Sequence, residues 1–110
     1  MAADGTVYPC HMLHVRRLAM GDAFVDAPEA IMGSKVAARF GALDVGSIEG
    51  CSACSVRHLC GGGCRARALM ATGSLTGRDP YCELSHSHLE GAGELLRRRF
   101  GRRGGERHAV

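Results

Sequence analysis

The chain has 110 residues, a formal net charge of +3, six cysteines and no tryptophan. A chain of that length reads as one domain that buries roughly 60 to 70% of its unfolded surface, and with only five aromatic rings its core is small enough to call for a covalent or metal staple. No window approaches the ~18 consecutive apolar residues of a membrane span, and no basic segment followed by an apolar one opens the chain, so it reads as cytoplasmic. The charge is uneven: residues 94–110 hold six arginines against two glutamates, whereas the first 93 residues hold eight basic groups against nine acidic ones. Residues 91–110 are therefore expected to be a helix end running into a basic, solvated tail, and nucleic acid is not the expected partner.

The opening run DGTVYPC combines a turn-forming Asp-Gly with strand-favouring Val7 and Tyr8, then stops at Pro9, which places Cys10 at a strand end. A second turn signal, Gly21-Asp22 beside Phe24 and Val25, predicts a short hairpin across residues 5–26. Pro28 suits the first position of a helix with Asp26 or Ala27 before it, and Met32, Val36, Phe40 and Leu43 recur at helical spacing, predicting one amphipathic helix over about 28–43 with that stripe in the core. RARALMAT followed by Gly73 predicts a short helix over about 64–72. Asp79 and Pro80 read as the cap and first residue of a last helix, with Tyr81, Leu84, His88, Ala92 and Leu95 along one face and Cys82 in its first turn. The predicted fold class is small α+β, a short N-terminal β-hairpin followed by helices and ligand-binding loops.

The chemistry is concentrated in CSACSVRHLCGGGC, residues 51–64. In a reducing cytosol six cysteines read as metal ligands rather than as three disulfides. Two cysteines separated by two residues, here Cys51 and Cys54, can turn both sulfurs to one side of a tight loop. The glycines between Cys60 and Cys64 permit torsions closed to other residues and let the main chain approach a bulky ligand. Cys64 precedes one predicted helix and Cys82 opens another, so positive helix ends would face an anionic centre. Zinc accepts four thiolates as well and is the strongest rival. Four-cysteine zinc sites usually come as two separated pairs, however, and zinc would leave two of the six cysteines unused. A thioredoxin-like use of Cys51 and Cys54 lacks its βαβ setting, and the triple glycine is no P-loop because no Gly-Lys-Ser/Thr follows. His11 and His14, near Cys10, read as ordinary hydrogen-bonded side chains. His86 and His88, two apart on a helix, point away from each other and make a poor metal pair.

GTVYPC, CSACSVRHLCGGGC and DPYC together resemble the SPASM domain, the C-terminal extension of many radical S-adenosylmethionine enzymes that mature peptides and proteins. The family pattern is a cysteine, a Gly-x4-Cys element, Cys-x2-Cys-x5-Cys-x3-Cys and a last cysteine. Residues 5 to about 90 follow it, with every gap of the four-cysteine block matched, so 1–90 would be a SPASM-like domain. The resemblance implies two auxiliary 4Fe–4S clusters, the second held by Cys51, Cys54, Cys60 and Cys82, and the first, incomplete here, contacted by Cys10 and Cys64. The family's cysteine upstream of Gly5 has no counterpart, nor does the Cys-x3-Cys-x2-Cys motif of the catalytic cluster. The chain is accordingly expected to be non-catalytic by itself, the tail or split part of a maturase rather than a free-standing partner. It would serve a radical S-adenosylmethionine enzyme, or the missing N-terminal part of one, acting on a ribosomal peptide or protein. Its implied role is to relay electrons or position substrate, with the Gly61–Gly63 amides tuning the cluster. A structural zinc-binding docking module without a redox role stays open beside it.

Overall fold

The structure, a computed structural model, describes residues 1–101. The fold is small α+β, an antiparallel two-stranded hairpin near the N-terminus followed by helices. It divides into two compact units, Met1–Ser47 and the chain from Ile48 on.

In the first unit, β1 (Thr6–Val7) pairs with β2 (Gly21–Asp22) in the register Thr6 to Asp22 and Val7 to Gly21. The strands are shorter than their flanking sequence suggests, because β1 ends ahead of Pro9, which has no N–H to give a ladder. Gly21-Asp22, read as a turn from sequence, is itself the second strand. The turn follows it: Asp22 accepts the Phe24 N–H on Oδ1 at 2.8 Å, and its own N–H goes to Asp26 Oδ2 at 2.8 Å. Gly5 sits at φ +91° with the Phe24 ring where a Cβ would project, so both torsion and space exclude a side chain there.

The helix predicted over 28–43 is two helices, α1 (Pro28–Met32) and α2 (Lys35–Gly41). Pro28 begins α1 after Ala27, as the sequence suggests. The break comes at Ser34, whose backbone is extended (φ −64°, ψ 156°) and whose Oγ accepts the Ala37 N–H at 3.2 Å, so a new N-cap interrupts the apolar period. The stripe is only partly inside: Met32 is 69% exposed and Val36, Phe40 and Leu43 are half-buried, while Ile31 is buried, as are Leu13 and Leu18.

The second unit contains α3 (Arg57–Cys60), α4 (Arg65–Thr72) and α5 (Cys82–Phe100). Ile48, Ala66, Ala68 and Leu75 are its buried apolar residues. Helix α4 starts and stops where predicted, with Gly73 in the left-handed conformation at its C-cap. Helix α5 begins at Cys82 rather than at Pro80, and continues through Gly91 and Gly93 to Phe100. The predicted apolar face of α5 is turned outward: Tyr81, Leu84 and Leu95 are 55%, 68% and 68% exposed. The half-buried positions are Cys82, Ser85, His86, Leu89, Ala92 and Glu94, and those nearest the cysteine end line the pocket. Of the predicted basic tail, Arg97–Arg99 are helical, and the stretch 102–110 lies outside the described residues. Among the described residues no helix is long and apolar enough to cross a membrane.

Candidate metal centre

Consecutive tight turns bring the cysteine block together. The Cys51 N–H donates to the Ile48 carbonyl and the Cys54 N–H to the Cys51 carbonyl, both at 3.0 Å. The Arg57 side chain then fastens the next turn by donating from Nη1 to the Cys54 carbonyl at 2.9 Å. Helix α3 carries Cys60 at its end, and Gly61, Gly62 and Gly63 follow with φ of +67°, +91° and +77°. Three successive left-handed residues reverse the chain so tightly that only glycine fits without strain. Space adds to the restriction at two of them: a Cβ on Gly62 would meet Ile48, and one on Gly63 would meet the Asp79 carboxylate.

Asp79 ties this turn to the start of α5. It is 3% exposed, and it accepts the Cys64 N–H at 2.6 Å, the Tyr81 N–H at 2.9 Å, and Arg67 Nε and Nη2 at 3.1 and 2.7 Å. Burial alone would raise its pKa, but the Arg67 fork and the two backbone N–H groups outweigh burial and hold it at about 2. Arg67 also lies over the Tyr81 ring, 4.8 Å from its centroid. Sequence reasoning gave Asp79 the role of a helix cap, and it does accept the N–H of Tyr81, the residue before α5. Its greater effect is to hold Cys82 beside the glycine turn.

The result is one pocket lined by Cys51, Cys54, Cys60 and Cys82 together with Gly62, Gly63, Arg57, Arg78 and His86. All six cysteines are free thiols, and Cys51 is the buried one. Burial, followed by the charges of Cys82, Cys54 and Cys60, pushes the Cys51 thiol above its ordinary value, with Arg65 acting the other way. Thiolates crowded in this manner oppose one another's ionisation, and a bound cation removes that conflict. The donor set therefore fits a thiolate-bound metal or cluster. The pocket is narrow, with a volume of about 20 Å³, room for about one water molecule. Among the described residues no three His, Cys, Asp or Glu side chains stand ready at metal-ligating separations.

Cys64 does not line this pocket. It precedes α4 and uses its backbone N–H on Asp79. Cys10 lies in the Met1–Ser47 unit, where its sulfur is 3.4 Å from the Met12 nitrogen and 3.9 Å from His11 Nδ1. His14 stacks on Tyr8 at 4.7 Å, an ordinary packing role.

Three arginines at this centre, Arg65, Arg67 and Arg78, were not singled out by sequence, and His86 was set aside there as half of a poor metal pair. His86 lines the pocket one turn beyond Cys82 and sits 3.6 Å from Glu90; the four-residue interval from Cys82 was its signal. Arg65 donates to the carbonyls of Gly62, Leu75 and Gly77, which braces the glycine turn from behind, and its Nε is buried without a partner. Arg67 and Arg78 likewise carried no signal beyond charge. Of the glycine amides, Gly61 donates to the Arg57 carbonyl at 2.8 Å and Gly63 to the Cys60 carbonyl at 3.5 Å, whereas Gly62 has no acceptor among the described residues.

Comparison of the chain with protein-family models, with curated proteins and with solved structures finds no match.

Proposed function

We propose that the chain is an auxiliary iron–sulfur module of a cytoplasmic radical S-adenosylmethionine system that modifies a ribosomal peptide or protein. Cys51, Cys54, Cys60 and Cys82 would hold a 4Fe–4S cluster. The single observation that supports this most is the convergence of those four cysteines, and not Cys64, on one pocket. They are the set that the resemblance to the SPASM domain groups together, leaving Cys10 and Cys64 for a second, incomplete centre. When bound, the cluster supplies a one-electron relay.

The chain's own residues define the rest of the site. The left-handed run Gly61–Gly63 leaves the N–H of Gly62, a buried residue lining the pocket, without an acceptor among the described residues, a donor of the kind that tunes coordinating sulfur. The Arg67–Asp79 pair fixes the α4 and α5 ends of the site without adding net charge.

Structural zinc is the second reading, and the narrowness of the pocket favours it, since a single ion needs less space than a cluster. Anaerobic reconstitution of the wild-type chain and of Cys54→Ala tests the assignment. Wild type takes up iron and sulfide and absorbs broadly near ~400 nm, and Cys54→Ala loses both. Unchanged iron in the variant would remove Cys54 from the site, and zinc uptake without sulfide would leave a docking module with no redox role.

A further inference from the structure

Three guanidinium groups stand at or behind the four-thiol pocket, and they are bonded differently. Arg57 lines it, but its Nη1 is used on the Cys54 carbonyl. Arg65 is spread over three backbone carbonyls behind the glycine turn. Arg78 lines the pocket and also the adjoining surface groove, where Cys54, Cys82 and His86 approach solvent.

Arg78 is held in place through its neighbours. The Gly77 carbonyl accepts from Arg65, and Asp79 is buried with four hydrogen bonds, so the backbone on either side is anchored. Among the described residues the carboxylate paired with Arg78 is Glu83, 3.9 Å away and 92% exposed, a separation and exposure at which an ion pair contributes little. Arg78 instead shares both the four-thiol pocket and the adjoining groove with Cys54 and Cys82.

We propose that Arg78 sets the reduction potential of the metal centre on Cys51, Cys54, Cys60 and Cys82, acting through its charge from the rim of the pocket they line. This rests on the iron–sulfur reading above. When one electron from an external reductant such as dithionite enters, the site gains one negative charge and no protein bond forms or breaks. Arg78 stabilises that added charge more than it stabilises the oxidised state, which makes reduction easier. Arg57 and Arg65, committed to main-chain carbonyls, have less freedom to respond. Arg78 is thus a positioning and electrostatic residue, not a ligand.

The test is a mediated redox titration of the reconstituted full-length chain, with iron and sulfide counted in each variant so that potentials are compared at equal loading. Arg78→Gln is expected to shift the midpoint to a more negative potential, and Arg78→Lys, which keeps the charge, to recover most of the shift. Arg78→Met, which removes the charge and keeps an unbranched stem, is expected to shift the midpoint the same way as Arg78→Gln, which retains a test if Arg78→Gln loads poorly. A loaded Arg78→Gln with the wild-type midpoint overturns the role of Arg78 and leaves the iron–sulfur reading intact, as does a loaded Arg78→Met with that midpoint. A wild-type chain that takes zinc and no sulfide overturns that reading and this inference together.

Discussion

Asp79 and Cys64, fifteen residues apart in sequence, are joined by a hydrogen bond of 2.6 Å from the Cys64 N–H to the buried Asp79 carboxylate. Because the same carboxylate accepts the Tyr81 N–H, the end of the cysteine block and the start of α5 are held by one side chain. Replacing Asp79 with Ala strands two backbone donors and the Arg67 guanidinium. A loss of about 3 kcal/mol is expected, read as a lower urea midpoint, and Asp79→Asn is expected to lose less because it keeps an acceptor.

The Asp79 contribution depends on pH. Its folded pKa of about 2 lies below the model-peptide value of 3.8, so the stabilisation is complete above the unfolded value and is lost as pH falls through the folded one. Urea titrations should show a loss of about 2 kcal/mol between pH ~5 and pH ~2. Asp79→Asn is expected to flatten that part of the profile. An equal slope in both proteins would assign the acid sensitivity to other groups.

The three glycines of the block are not equivalent. Gly61→Ala meets open space and carries only the torsional cost, about 1 kcal/mol, whereas Gly62→Ala and Gly63→Ala add collisions with Ile48 and Asp79. Thermal midpoints are expected to fall least for Gly61→Ala. A larger fall at Gly61 than at Gly63 would mean that the turn is not held as described.

The pocket also predicts which cysteines govern metal content. Cys82→Ser is expected to abolish or strongly reduce metal uptake at the four-thiol site, and Cys64→Ser to retain it, because the Cys64 side chain does not line that pocket and its N–H is unaffected by the change. Metal per chain by mass spectrometry of the two variants checks the distinction.

Local signals made much of the framework legible. Pro28 as a helix start, Gly73 as a helix stop, Cys82 in the first turn of α5 and a hairpin near the N-terminus each depend on backbone rules that act within a few residues. Two predictions missed because tertiary and capping effects decided them. Ser34 takes an extended conformation and caps α2, which splits an otherwise continuous apolar period. On α5 the start was read at Pro80, yet the helix begins at Cys82, and tethering at Cys82 and Asp79 turns Ser85 and His86 inward and leaves Leu84 and Leu95 of the stripe exposed. The spacing of the cysteines pointed to the centre, but not to the side chains that shape it. Arg65, Arg67 and Arg78 reach it through contacts ten or more residues away or through a rim position, and charge alone does not encode either.

Counting iron, sulfide and zinc per chain after anaerobic reconstitution tests the central claim most directly. About four iron and four sulfide per chain are predicted, held by Cys51, Cys54, Cys60 and Cys82. One zinc and no sulfide would contradict the claim, making the centre a structural staple and ruling out the electron relay.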